Sequence, residues 1–419
     1  MDSSVKLLTL NCWGLKYLSK FREERLQAIG NQISEAQHDI VALQEVWVEK
    51  DWQYISTVCE RAYPYRRRFR AGVIAGPGLC ILLKYPIEST FLYRFPINGR
   101  PSAFFRGDWY VGKSIAVTII DTGLPNASKL AVLNSHMHAP YSLTGDAAYL
   151  THRTCQAWDM AKFHSLLRQG GYAVIQVGDL NSEPESLPYR IFTQEGGLVD
   201  SWDALYGSNM TTNELIALMP PLEQIEIGGI TCDSQHNTWR ANRELHEAKR
   251  LDFALFDQAK LQPVQAKVVF TEMLPAPYSC SYSDHFGYSV EFKFNTIEKE
   301  AERPPAPIDL YADIIQELDT YQATTIPFQF TWRALYFFIS LALVVGIQVG
   351  IGFTTGQPAW ISVVCSIVGL LLAISGTING LMCIISIPSE KSGLDEVKLE
   401  VLDALQAKRA SKNKWNHTE

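Results

Sequence analysis

Two stretches near the C-terminus restrict what this chain can fold into more than anything else in it. Residues 334–353 and 359–387 contain no charged side chain. Each is long enough to cross a hydrocarbon core of roughly 30 Å as a helix. The residues between them, Thr354-Thr355-Gly356-Gln357-Pro358, are turn formers, and Trp332, Tyr336 and Trp360 stand near the ends, where interfacial aromatic side chains belong. The pattern predicts a membrane-spanning helical hairpin. Beyond Pro388 the tail carries Lys391, Lys398, Lys408, Arg409, Lys412 and Lys414, whereas the turn between the spans carries no cation. Positive charge collects on the cytoplasmic side of a span, so the tail is expected there. Two spans return the chain to its starting side, which places residues 1–330 in the cytoplasm as well. Leu394, Val397, Val401 and Leu405 make an apolar stripe at helical spacing over residues 389–419. It reads either as a partner or bilayer-surface face, or as packing on the main domain.

The remainder of a 419-residue chain has room for one domain of about 250–300 residues. Residues 1–294 have that character. Apolar runs with strand character recur at 5–10, 40–43, 80–83, 114–120, 129–134, 173–177, 251–256 and 288–294, and helical patterns cover 21–35 and 147–168. Asp146 stands where it would cap the second of these helices. Strands outnumber helices and their connections vary in length, so a strict βαβ repeat does not fit. A two-sheet α/β sandwich of the α+β kind does. Residues 295–330 read as a linker: 298–303 is charged, Pro304, Pro305 and Pro307 break structure, and 310–321 forms a short amphipathic juxtamembrane helix. No basic segment followed by an apolar core opens the chain, and the eight cysteines are scattered without a CxxC pair, which suits reduced thiols. Sequons at Asn126, Asn209 and Asn416 are then chance occurrences. The formal charge of −7 argues against a protein that coats nucleic acid by bulk electrostatics.

Polar residues sit at the ends of the apolar runs, where a sheet delivers side chains to its rim. Asn11 ends LTLN, Glu45 follows DIVALQ, and His136 with His138 lies in LNSHMHAP. Asp179 and Asn181 lie in VIQVGDLN, Asp252 in RLDFAL, and Asp284 with His285 in YSDHFGYS. One such residue is a turn or a cap; six in order at strand ends are a site. Their chemistry suits phosphodiester hydrolysis. Carboxylate and amide oxygens are the ligands that Mg²⁺ takes while keeping waters. A histidine of near-neutral pKa takes a proton from water, with a buried carboxylate to fix its tautomer.

The ordered motifs LNCWG, LQEVW, SHMHA, GDLN, RLD and SDH resemble those of the DNase-I-like endonuclease/exonuclease/phosphatase superfamily, and GDWYVGKS resembles a signature of its neutral sphingomyelinase branch. Residues 88–116, NSHMHAPY and TCDSQHNTWRA are similar to the fungal inositol phosphosphingolipid phospholipases C. The resemblance implies a DNase-I-like sandwich followed by the hairpin, and Mg²⁺-dependent hydrolysis of sphingolipids to ceramide and a phosphorylated head group. A phosphodiesterase of the same superfamily acting on nucleic acid or soluble phosphates is the alternative. The resemblance further implies roles for the matching residues. Glu45 is the central Mg²⁺ ligand (Mn²⁺ being a substitute), with Asn11 and Asp284 nearby. His285 is the general base oriented by Asp252, Asp179 positions the water, Asn181 holds the phosphate, and His136 contacts the phosphate or assists the leaving ceramide oxygen. His138 is left open between a site role and a structural one. Partners implied are the membrane sphingolipid and an activating anionic phospholipid, with no nucleic acid. A homodimer through the transmembrane or C-terminal helices stays open. Endoplasmic reticulum and mitochondrial membranes are the expected locations.

Residues 107–114 satisfy GxxxxGK[ST], a phosphate-binding loop pattern that must open a helix. The β-rich Ile-Ala-Val-Thr-Ile-Ile follows instead, so nucleotide binding is not expected. In the resembled family this segment carries an Asp–Lys activation switch, which maps to Asp108 and Lys113. Arg66, Arg67 and Arg68 belong to a basic run that reads as a solvated surface or as a patch for anionic lipid or the head group, where each cation adds roughly 1 kcal/mol.

Overall fold

The computed structural model describes residues 4–124, 127–207, 213–295 and 306–415. All three sequons and the charged part of the expected linker lie outside them. The chain divides into two compact units, Met1–Gly99 with Phe105–Leu310, and Arg100–Phe104 with Tyr311–Glu419.

The first unit is a sandwich. Its strands are β1 (Ser4–Asn11), β2 (Ile40–Gln44), β3 (Tyr65–Arg68), β4 (Cys80–Leu83), β5 (Ile87–Arg94), β6 (Ser114–Ile120), β7 (Leu130–His136), β8 (Ala173–Asp179), β9 (Val199–Asp200), β10 (Asp252–Phe256), β11 (Leu261–Val269) and β12 (Gly287–Phe294). One sheet has the order β11-β12-β1-β2-β4-β3 and the other β5-β6-β7-β8-β10-β9. The pairs β1–β2 and β7–β8 are parallel, so those four strands all run toward one edge. The expected strands are present, most of them lengthened by one or two residues at the polar end.

Alternation along the strands explains both the core and the site. Val5 and Leu7 on β1, Ile40 and Ala42 on β2, Leu130 and Val132 on β7, and Ile175 and Val177 on β8 fill the space between the sheets. Continuing each series by two brings Thr9 and Asn11, Gln44, Asn134 and His136, and Asp179 to the same inner face at the edge where these strands end. The opposite face of the first sheet, with Leu8, Leu10, Val41 and Leu43, packs on α1 (Arg22–Glu35) and α2 (Glu49–Val58). A polar layer separates core from site. The Gln44 amide donates to Thr9 Oγ1 at 3.0 Å and to Asn134 Oδ1 at 2.8 Å, and Asn134 Nδ2 donates to the carbonyls of Leu43 and Cys80.

Helix α3 (Leu150–Gln169) starts three residues later than its pattern suggested, because Tyr149 turns left-handed at φ 52°. Asp146 sits in a separate 3-10 turn and does not cap it.

The second unit is helical: α4 (Ile308–Gly352), α5 (Ala359–Leu381), a π turn over Met382–Ser386, and α6 (Ile387–Trp415). The separate short helix expected over 310–321 is absent as such. α4 runs continuously through Pro327, so juxtamembrane segment and apolar span are one helix. Two helices here are long and apolar enough to cross a membrane, which points to membrane association. α4 and α5 approach closely where residues are small: a Cβ on Gly376 would lie 2.7 Å from that of Ser340. Arg333 donates to Asn379 across the pair at 3.0 Å. Leu394, Val397, Val401 and Leu405 are buried, as are Leu310, Tyr311, Ile314 and Leu318. Gln322 donates to Asp395 at 2.9 Å, and Tyr321 bonds Glu390. The stripe therefore lies on a helix that is hydrogen-bonded to α4.

Candidate active site

The inner-face residues converge at the edge where β1, β2, β7 and β8 end. Asn11 Nδ2 donates to Glu45 Oε1 at 3.2 Å and to Asp179 Oδ2 at 3.0 Å. His136 Nε2 lies 3.4 Å from Asp179 Oδ2 and 3.9 Å from Glu45 Oε1. On the other side of Asp179, His285 Nε2 is 3.9 Å from Oδ2. His285 Nδ1 donates to Asp252 Oδ2 at 2.8 Å, which fixes its tautomer and aims Nε2 at the cluster. Every one of these side chains is buried or nearly so.

Local backbone conformation delivers them. Glu45 follows the last inward residue of β2 and would point outward by alternation; φ of 60° returns it to the cluster. Asn181 at φ 46° is likewise turned, its N–H held by Asp179 Oδ1 at 3.0 Å. Gly178 lies so close to β7 that a Cβ would stand 1.9 Å from the Ser135 carbonyl oxygen, so no other residue fits before Asp179.

Burial dominates the electrostatics. It raises the Glu45 carboxyl to about 7, with the charge of Asp284 adding to the effect. It raises Asp179 as well, against the pull of His285. His136 is held well below the ordinary imidazole range by burial and then by Lys113. His285 is opposite in sign: burial lowers it, but Cys232, Asp252 and Asp179 outweigh that and hold it well above. Carboxyls packed this closely call for a cation. Glu45 Oε2 is buried without a hydrogen-bond partner among the described residues, as are His136 Nδ1 and Asp252 Oδ1. A hard divalent ion at Glu45 would satisfy that oxygen and relieve the shared negative charge. Among the described residues no group of three or more His, Cys, Asp or Glu side chains is arranged to hold a metal by itself.

Two of the expected ligands are engaged elsewhere. The Asn11 Oδ1 that a metal would take accepts from Trp13 N–H at 3.0 Å, so its nitrogen faces the carboxylates. Asp284 Oδ2 accepts from Arg240 at 2.6 Å, and its charge helps raise Glu45. Asn181 Nδ2 donates to the Met137 carbonyl at 3.2 Å.

Asp108 and Lys113 are both buried and 3.3 Å apart. Tyr141 donates to Asp108 at 2.5 Å, and His138 Nε2 is 3.7 Å from it. Burial raises Asp108, but His138, Lys113 and Tyr141 outweigh it and the carboxyl is lowered. His138 is stacked on Tyr149 at 3.9 Å, and burial drives its pKa to about 3. β6 follows Lys113 directly, so the GxxxxGK[ST] match opens no helix. The arginine run is not brought to the cluster. It lies on edge strand β3, where Arg66 pairs with Glu60, Arg68 with Glu49, and Arg67 covers Phe69.

Sequence reasoning missed Gln44, Asn134, Tyr141 and Cys232. Gln44 and Asn134 were detectable as amides on the inward parity of strands otherwise apolar at that parity. Cys232 Sγ is 3.4 Å from His285 Nε2, a contact across 53 residues of sequence that leaves no local signal.

The endonuclease/exonuclease/phosphatase family profile matches residues 8–285. The chain is 47% identical to the inositol phosphosphingolipids phospholipase C of Saccharomyces cerevisiae, over 96% of this chain and 90% of that one. It is 35% identical to the protein of the same name from Schizosaccharomyces pombe, over 90% of this chain and 88% of that one. Among solved structures, the beta toxin of Staphylococcus aureus superposes with a TM-score of 0.50 at 18% identity, over 68% of this chain and 99% of that one, which shows a shared fold.

Proposed function

Because this chain belongs to the endonuclease/exonuclease/phosphatase family, we propose that it is a Mg²⁺-dependent phospholipase C. It cleaves inositol phosphosphingolipids, and sphingomyelin, to ceramide and the phosphorylated head group. One observation carries the reading. Similarity to the yeast phospholipase C covers 96% of this chain, too much to be confined to the catalytic fold, and so supports both a phosphodiester-cleaving centre and a means of reaching a lipid.

Water attacks phosphorus. Its oxygen forms the new P–O bond, its proton passes to His285 Nε2, and the bond from phosphorus to the ceramide oxygen breaks. Asp252 keeps His285 in the tautomer that accepts at Nε2 and stabilises the imidazolium that results. Asp179 orients the water. His136, neutral in this setting, contacts the phosphoryl group or assists the leaving oxygen by hydrogen bonding, and the proton that oxygen gains is the one His285 took from water. Asn181 turns from the Met137 carbonyl to donate to a phosphoryl oxygen, where a buried donor is worth about 3 kcal/mol in the transition state. Glu45, with Asn11 and Asp284 nearby, would hold Mg²⁺, which when bound would supply neutralisation of charge on the phosphoryl oxygens. Asp108 and Lys113 form a switch that responds to an activating anionic phospholipid.

The apolar helices cross the bilayer as a hairpin, with the catalytic domain and the basic tail on the cytoplasmic side of an endoplasmic reticulum or mitochondrial membrane. This holds the site where the substrate resides. Purified full-length protein is assayed on inositol phosphoceramide, sphingomyelin and DNA, each with Mg²⁺ and with chelator. Head-group release that requires Mg²⁺, without DNA cleavage, is expected. DNA cleavage without lipid cleavage would overturn the reading.

A further inference from the structure

The connections of the sandwich fall into two sets. The register of the strands places the loops 12–21, 69–79, 95–113 and 137–149 at the edge that carries the site. The described parts of 84–86, 121–129, 170–172 and 257–260 lie at the opposite edge. At the site edge, Tyr17 is 86% exposed, Leu18 72%, Ile74 77%, Phe105 99% and Leu143 88%. Among the described residues, the opposite-edge loops expose no large apolar side chain. A single exposed leucine needs no explanation, but several confined to one end of a domain mark a contact surface.

Three of these loops are interlocked. Ile74 N–H donates to the Tyr110 carbonyl at 2.9 Å, and Tyr141 donates to the Arg106 carbonyl at 3.0 Å and to Asp108. The tips at 74, 105 and 143 are thus carried on one braced platform. Cations flank them: Lys16 and Lys20 bracket Tyr17 and Leu18, and Arg106 follows Phe105. Apolar tips bordered by lysine and arginine match the boundary between acyl chains and head groups. The same chain supplies two long apolar helices, so such a boundary is within reach.

We propose that Tyr17, Leu18, Ile74, Phe105 and Leu143 form a second bilayer contact, distinct from the apolar helices, by which the rim of the site seats in the lipid surface. The proposal rests on the membrane-associated reading above, but its test does not depend on the substrate. The full chain is reconstituted in phosphatidylcholine vesicles containing a phosphatidylcholine with a diazirine on its acyl chain, irradiated, and mapped by mass spectrometry. Adducts on residues 12–21, 71–77, 104–107 or 139–147 are expected in addition to those on 334–353 and 359–387, which serve as the internal control. Adducts confined to the two apolar stretches would overturn the proposal. The triple variant Tyr17→Ser, Ile74→Ser, Leu143→Ser changes exposed residues only. It is expected to lose the rim adducts and to raise KM for substrate in vesicles about tenfold, with turnover of a water-soluble phosphodiester unchanged; unchanged KM in vesicles would contradict the proposal. Rim adducts in a protein that cleaves no sphingolipid would uphold the surface and sink the substrate reading, and cleavage without rim adducts would do the reverse.

Discussion

The two edges of the sandwich are built by the same strands and differ in almost every physical respect. All nine described non-glycine residues with positive φ lie at the site edge: Trp13, Phe21, Glu45, Tyr149, Asn181, Glu185, Asp233, Phe270 and Ser279. Among the described residues, opposite-edge turns reach positive φ only at glycine, at Gly123, Gly171 and Gly197. Each strained residue costs on the order of 1–3 kcal/mol, and such strain persists where the surrounding structure over-determines it. The site edge also holds the carboxyls raised by burial and the exposed apolar tips. At the opposite edge the ion pair of Lys129 with Glu88 is open to solvent. One end of the fold closes the chain; the other spends stability on chemistry and contact.

The largest effect expected from breaking this contrast is at His285. His285→Ala should lower turnover by about 10³-fold with the circular dichroism spectrum unchanged, within the usual range for a general base; retained turnover would remove it from that role. Asp252→Asn removes one of the charges holding His285 well above the imidazole range. A base acts only when deprotonated, so the acid limb of kcat/KM should move to lower pH while kcat falls. Next is Glu45→Gln, which should abolish saturable Mg²⁺ binding by calorimetry and lower activity about 10²-fold; wild-type Mg²⁺ affinity would exclude Glu45 as the principal ligand. Gln44→Leu strips the bond between the sheets and leaves Asn134 Oδ1 without its donor, at a cost of about 1–3 kcal/mol read as a lowered Tm. Asp108→Asn and Lys113→Met should alter activation by anionic lipid several-fold with little change in Mg²⁺ affinity, and unchanged lipid dependence in both would count against the switch. Smallest of all, Lys129→Ala at the opposite edge should leave turnover and Tm unchanged, because exposed ion pairs contribute little.

Much of the site edge was legible because several of the clustered residues stand at the end of an apolar run and continue its inward parity. Asn11, His136, Asp179 and Asp252 follow from alternation alone; Glu45 breaks alternation, and only its motif marked it. Strand β3, with Tyr65-Arg66-Arg67-Arg68, and strand β11, with alternating exposed residues, escaped notice because edge strands face water and lose the apolar signature. Helix α2 was missed for a related reason: Asp51, Trp52 and Ile55 are its buried residues, too few to set a period over ten positions. The hairpin was read from the absence of charge, but the continuity of α4 through Pro327 was not, since proline there argues locally for a stop. Pairings across long separations, such as Cys232 with His285 or Tyr141 with Asp108, have no sequence signal at all.

Hydrolysis in water enriched in ¹⁸O tests the central claim most directly. With inositol phosphoceramide in vesicles and Mg²⁺, the label should appear in the phosphorylated head group and not in ceramide, because the proposed reaction is attack of water on phosphorus. Label in ceramide, or head-group release that survives chelation, would contradict the account.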